Sequence, residues 1–175
     1  NKVMSLAEQM PDVHIAFNVS AETIADPGSF GLLAAMLAKR RKLAPRLLIE
    51  VTETGNIGDL ATAGQAIAVL SDMGYRVGLD DFGAGYTSFS YLKELPADVL
   101  KIDGNFIVGV NSHPSNLAIV EAIVNLARNL GMKTIAEWVW RRREYAAVDL
   151  ATWGKLTDRN LKEGQGQNSS GTPIE

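Results

Sequence analysis

The sequence predicts an α/β protein of parallel strands, arranged as a (β/α) barrel. Three observations carry this. Apolar, β-prone runs alternate with helical segments at about 30 residues per unit, the rhythm of repeated βαβ connections. Within each run, alternate residues separate a bulky apolar face from a small or polar one. The polar face becomes charged toward the C-terminal end of the run, where barrels of this kind carry their chemistry. An open doubly wound sheet places ligands at the same ends and is the alternative fold.

The first strand is predicted over Val13–Val19, where Ile15, Phe17 and Val19 share one face and Ala16, Asn18 and Ser20 the other. Phe30–Leu43, rich in Leu, Ala and Met, follows as a helix. Its end carries Lys39-Arg40-Arg41-Lys42, read as a solvated basic terminus where cations suit the macrodipole. In the second strand, Leu47–Val51, the residues Leu47, Ile49 and Val51 oppose Leu48, Glu50 and Thr52. Leu60–Met73 is an Ala-rich helix with Ile67 and Leu70 on one face. The third strand, Arg76–Leu79, sets Val77 and Leu79 against Gly78 and Asp80. The fourth, Val99–Ile102, sets Leu100 and Ile102 against Val99, Lys101 and Asp103. Asn111 to Ser115 reads as a loop with Ser115 as N-cap. Leu117–Leu130 then carries Val120, Ile123, Val124, Ala127 and Leu130 at helical spacing, and Gly131 is its C-cap. Lys133–Ala136 is the fifth strand.

After Trp140 the composition changes. Arg141-Arg142-Arg143 opens one further helical stretch to about Trp153, and 155–175 is polar, without a strand-like run, and reads as disordered. The expected division is a domain over 1–139 and a divergent helical and disordered tail over 140–175.

Composition narrows the function classes. A chain of 175 residues with 46% hydrophobic residues can bury a core as one domain. A net charge of −3 argues against a dedicated binder of nucleic-acid polymers, which would be basic. There is no cysteine, hence neither a disulfide frame nor a thiolate metal site. No apolar run is long enough to span a bilayer, and no signal peptide is evident. The chain opens on Asn1 rather than Met, which reads as a fragment, a processed chain or part of a larger protein.

The chemistry gathers at the strand ends: Asn18, Glu50, Asp80 with Asp81, Lys101 and Glu137. Taken singly, each has an ordinary structural reading: an acidic turn, a strand cap, a surface charge, a buried ion pair. Five strands ending this way together point to a site. Hard oxygen donors converging on one mouth suit Mg²⁺ or Mn²⁺. His14, low on its strand, and His113, in a loop, argue against zinc. Carboxylates holding two cations could clamp a phosphodiester and activate a water, with a lysine holding that water or neutralising developing charge. A phosphoacceptor receiver domain also combines an acid pair with a lysine. There the pair ends the first strand and the lysine the fifth, whereas here the pair is mid-chain and Lys101 lies on the next strand, so that reading is rejected.

Phe17-Asn18-Val19-Ser20, Ile49-Glu50-Val51-Thr52-Glu53, Asp80-Asp81-Phe82-Gly83-Ala84-Gly85-Tyr86-Thr87-Ser88, Leu100-Lys101-Ile102-Asp103 and Thr134-Ile135-Ala136-Glu137 resemble, in order and spacing, successive motifs of the EAL-domain cyclic-di-GMP phosphodiesterases. The resemblance runs from about residue 1 to 139. It implies a modified (β/α)₈ TIM-type barrel, of which about five of eight strands are represented. It also implies Mg²⁺- or Mn²⁺-dependent hydrolysis of cyclic di-GMP to linear pGpG. Residue by residue, Asn18, Glu50 and Asp80 match metal ligands, with Asp80 the bridge. Asp81 and Glu137 match acids around the second metal and its water, and Lys101 the lysine that contacts that water. Glu53 matches a glutamate that steadies the loop after the acid pair. That loop, with Phe82, Gly83, Gly85 and Ser88, matches one coupled to metal binding and to homodimerisation. A cytoplasmic location follows from the nucleotide's compartment, with membrane attachment only through other domains of a parent protein.

The chain departs from the family pattern at both ends. The Glu-Ala-Leu motif is absent, and its glutamate is a primary metal ligand, so efficient catalysis is not expected of the chain as it stands. Glu121-Ala122-Ile123 lies on a predicted helix and is not its equivalent. Trp138-Val139-Trp140 stands where the family has Gly-Val-Glu, and Gln165-Gly166 follows no apolar run. This break predicts a frame-shifted or foreign stretch after about Val139. A degenerate domain that senses cyclic di-GMP, or an inactive remnant, is the alternative to an enzyme. Exposed sheet edges predict self-association.

Overall fold

A computed structural model describes residues 2–52, 59–83, 89–110 and 112–138. In order, these form α1 (Lys2–Gln9), β1 (Ile15–Ser20), α2 (Ala21–Ala25), α3 (Pro27–Ala38), a 3₁₀ turn (Arg41–Arg46), β2 (Leu47–Thr52), α4 (Leu60–Asp72), β3 (Arg76–Phe82), α5 (Phe89–Glu94), β4 (Val99–Ile102), α6 (Gly104–Ile107), α7 (Pro114–Asn129) and β5 (Lys133–Ala136).

The five strands pair in parallel and in chain order, β1-β2-β3-β4-β5. A doubly wound sheet reverses its strand order at a switch point; this one advances in a single direction, as a barrel does. Strand alternation sets what each face does. Leu47, Ile49 and Val51 of β2, Val77 and Leu79 of β3, and Leu100 and Ile102 of β4 are buried in one apolar cluster. That cluster takes in Met4 and Ala7 of α1, Ile67 and Leu70 of α4, and Val120, Val124 and Ala127 of α7. Burying each such Val, Leu or Ile side chain contributes about 1.5–3 kcal/mol, so this face holds the helices on the sheet. The other face carries Asn18, Glu50, Asp80 and Lys101.

The strands predicted over Val99–Ile102 and Lys133–Ala136 have those bounds. The third runs three residues further than predicted, to Phe82, and so includes both aspartates. Three local expectations are corrected. His113 rather than Ser115 is the N-cap of α7, because Pro114 occupies its first turn, where a missing N–H costs nothing. The basic run lies beyond the body of α3, which ends at Ala38 with Lys39 as its C-cap: Arg41 opens the 3₁₀ turn and donates to the carbonyls of Asp72 (2.7 Å) and Met73 (3.3 Å). Its charge therefore caps α4, while Arg40 pairs with Glu8 at 3.5 Å. Leu130 rather than Gly131 is the C-cap of α7, and Gly131 directly after it takes the positive φ of 76° that ends the helix.

Arg46 joins the first helix to the sheet. Its guanidinium donates to the carbonyls of Ala7 (2.8 Å), in the last turn of α1, and of Met10 (2.8 Å) and Val13 (3.1 Å), in the segment that leads from α1 to β1. Buried Tyr75, just before β3, donates its hydroxyl to the carbonyls of Leu37 (3.0 Å) or Arg40 (3.1 Å), tying α3 to the same layer. No described helix is long and apolar enough to cross a membrane.

Candidate active site

The register of the sheet places the site. Asn18 of β1 lies opposite Glu50 of β2, which lies opposite Gly78 of β3, so Asp80 stands one pleat higher toward the C-terminal ends. Lys101 of β4 pairs with Ile135 of β5, and Glu137 follows directly beyond that strand. Asn18 is on the shared face but exposed, and Glu50 and Asp80 are buried.

Ordinary alternation would send adjacent Asp80 and Asp81 to opposite faces. A bulge prevents this. Leu79 pairs with Leu100 and Phe82 with Ile102, so three steps on β3 match two on β4. Asp81 takes the extra step with φ of 54°, a left-handed conformation that Asp tolerates better than most residues. As a result Asp80, Asp81 and Glu137 each offer a carboxylate oxygen within 4.8 Å of the others. The acid pair was legible from the sequence; the bulge that aims both acids at one point was not.

Lys101 is the hub. Its Nζ donates to Asp80 Oδ1 at 2.6 Å and Glu50 Oε2 at 3.1 Å, and pairs with Glu137 Oε1 at 2.8 Å. Burial opposes its charge, but the bonds to Asp80, Glu137 and Glu50 outweigh that and hold its pKa above the ordinary lysine value of 10.5. Glu137 goes the other way for a carboxylate. Burial raises its pKa, the repulsion of Asp80 and Asp81 adds to the rise, and Lys101 only partly offsets both. Four carboxylates around one ammonium leave a formal charge of −3, which one divalent cation would reduce to −1.

The donor set fits a hard divalent cation: Asp80, Asp81 and Glu137 supply only oxygen, with Glu50 beside them through Lys101. His14 and His113 lie outside this group; His113 Nδ1 instead lies 3.1 Å from the carbonyl of Gly109. Phe82, expected on the substrate loop, turns its ring into the core at the end of β3. Gly83 follows with φ of 100°, and a Cβ there would meet the Phe106 ring at 2.6 Å, so position 83 admits only glycine. Glu53, Gly85 and Ser88 lie outside the described residues, as does the expected boundary at 139/140. Glu121-Ala122-Ile123 sits within α7, with Glu121 exposed.

Trp138 is the residue whose place at the site the sequence did not indicate. Adjacent to Glu137, it lies against Gly104 at the start of α6 and remains largely exposed.

Comparison with known proteins bears on this arrangement. The EAL domain family model matches residues 1–152. The cyclic di-GMP phosphodiesterase PdeA of Borreliella burgdorferi is 35% identical over 129 residues, 73% of this chain and 19% of that protein. The crystal structure of an EAL domain protein from Listeria monocytogenes superposes with a TM-score of 0.76 at 30% identity, over 83% of this chain and 58% of that one. The PaMucR phosphodiesterase in complex with c-di-GMP superposes with a TM-score of 0.67 at 37% identity, over 82% of this chain and 58% of that one. The chain spans about a fifth or less of the length of the curated relatives PdeA and YkoW of Bacillus subtilis. Its in-order parallel sheet, its acid–lysine cluster at the strand ends and the family match over 1–152 place this chain in the EAL domain family.

Proposed function

We propose that this chain carries the metal-binding centre of a cyclic-di-GMP phosphodiesterase, with Mg²⁺ or Mn²⁺ as its cation and linear pGpG as its product. The observation that carries the reading is the convergence of Asp80, Asp81 and Glu137 within 4.8 Å, with Lys101 bonded to two of them. Asp80 and Asp81, aimed together by the bulge, would hold the cation from β3, and Glu137 would hold it from beyond β5. Glu50, 3.1 Å from Lys101, and Asn18, in register with Glu50, extend the donor set along the lower pleat. A divalent cation bound there supplies Lewis acidity, drawing charge from a phosphoryl oxygen and making a water more nucleophilic.

The chain's own residues do the rest. Water attacks phosphorus, the bond to the 3′ oxygen breaks, and a 5′-phosphate and a 3′-hydroxyl result. Lys101 is kept protonated in the metal-free cluster, where its three carboxylate partners outweigh its burial. It serves as a fixed positive charge that orients the water or stabilises the developing phosphoryl charge, not as a base. By resemblance to the family, Glu53 would steady the loop after the acid pair, and Gly85 and Ser88 of that loop would serve substrate binding and a homodimer contact. The relatives' names and the PaMucR complex support the substrate.

The test is to incubate the chain with c-di-GMP and Mn²⁺ and to follow nucleotide binding and pGpG release together. Slow release that EDTA abolishes is the expected result, in keeping with the inefficient catalysis that the sequence leads one to expect. Binding without release would make the chain a sensor, and neither would make it a remnant.

A further inference from the structure

Two described residues other than glycine have a positive φ, Asp81 at 54° and Trp138 at 52°. Both belong to the mouth around the carboxylates. Asp81 has an evident reason, since its bulge aims a ligand. A tryptophan in the left-handed region is far less expected, because its bulk crowds the backbone there. Trp138 is also the most exposed aromatic described, at 54%.

The indole has a defined seat. A Cβ built on Gly104 would lie 2.5 Å from both Cγ and Cε3 of Trp138 and nearer still to Cδ2, the atom between them. An approach in the ring plane would bring Cγ closer than Cδ2, so Gly104 faces the flat of the ring. One face of the indole therefore rests on backbone that has no side chain, and the ring's exposure lies on the other. Gly104 begins α6, two residues beyond β4, which carries Lys101. Trp138 adjoins Glu137, whose Oε1 is 2.8 Å from Lys101. The ring thus lies at the same end of the sheet as Lys101 and Glu137, one residue from a carboxylate of the cluster.

We propose that Trp138 is a base-stacking platform that takes one purine of the cyclic dinucleotide while its phosphate meets the cation that Asp80, Asp81 and Glu137 would hold. This rests on the reading of the chain as a cyclic-di-GMP phosphodiesterase. In a nucleotide the base is one sugar from its phosphate, and here the platform is one residue from a phosphate-site carboxylate. Stacking does not read base edges, so Trp138 contributes affinity and orientation rather than a choice between purines.

The experiment measures c-di-GMP affinity in Ca²⁺, a hard cation suited to the same oxygen donors, for the wild-type chain, W138F and W138G. Tryptophan emission, unfolding midpoint, Ca²⁺ affinity without nucleotide, and sedimentation are recorded alongside. Glycine accepts the positive φ, so W138G removes the ring without straining the fold. The expected result is quenched emission on nucleotide binding to the wild type. W138F should stay within about threefold of it, and W138G should weaken by about 10-fold or more, with unchanged Ca²⁺ affinity and midpoint. W138G binding nucleotide as the wild type does would overturn the platform and leave the phosphodiesterase reading standing. Nucleotide affinity, Ca²⁺ affinity and midpoint falling together would make Trp138 a packing residue and overturn it too. Loss of a dimer in W138G with unchanged nucleotide affinity would assign the ring face to a second copy. Failure of the wild type to bind c-di-GMP at all would overturn the phosphodiesterase reading, and the platform with it.

Discussion

Lys101 and Glu137 weigh oppositely on the stability of the metal-free chain. Lys101, 12% exposed, offsets carboxylates that would otherwise repel one another under partial burial. K101M should therefore cost the metal-free chain about 3 kcal/mol, with Mn²⁺ restoring more stability to the variant than to the wild type; urea unfolding with and without EDTA measures both. A lysine whose pKa is raised by folding contributes fully below 10.5 and loses that contribution only as pH rises through the folded value. The sign for Glu137 is reversed. Its pKa is raised above 4.5, so its ionised form opposes the metal-free fold, and the penalty fades as pH falls through the raised value. E137Q should thus stabilise the metal-free chain at neutral pH while weakening Mn²⁺ binding; an unfolding midpoint in EDTA that falls would contradict this. At this scale the sequence was informative about residue type and silent about direction. The acids and the lysine announce themselves by their place at strand ends. That Asp81 turns left-handed, and that Trp138 lies on Gly104, depend on neighbours distant in the chain and leave no local pattern.

Helices and strands were more legible, because periodicity is a property of the element itself. Val99–Ile102 and Lys133–Ala136 alternate cleanly and were bounded correctly, whereas the end of α3 and the cap of α7 were not. Arg41 reaches a helix about 31 residues away in sequence, and such a partner is invisible to a local reading. Two glycines give a paired test at this scale. Gly31 in α3 has nothing within 4 Å of a Cβ position, so G31A should stabilise by about 0.5–1 kcal/mol through helix propensity alone. Gly64 in α4 has the Glu94 carbonyl oxygen 2.6 Å from that position. G64A should destabilise despite the same gain in propensity, since backbone cannot move aside as a side chain can. Thermal unfolding of the two variants should shift in opposite directions.

Among the described residues, β1 and β5 each pair with a single strand, so the sheet has two edges. The N–H and C=O groups along Ile15–Ser20 can accept another strand, and Phe17 and Val19 are only partly buried beside them. The chain by itself should self-associate, with a sedimentation coefficient that rises with concentration. A compact monomer at every concentration would show that these edges are covered. The order of the five strands was legible because βαβ units wind one way and follow the chain; what lies beside the edges was not, because no periodicity reports it.

The bulge at Asp80–Asp81 also separates folding from chemistry at the level of a single codon. Removing Asp81 would set Asp80 opposite Lys101 and Phe82 opposite Ile102, completing an unbroken ladder. The residue that interrupts the sheet is thus one the architecture can do without. A deletion there should leave a chain that folds at least as well and holds its cation poorly. Drift toward inactivity in such a domain therefore meets no resistance from stability at this position, and only selection on turnover would keep the extra residue in place.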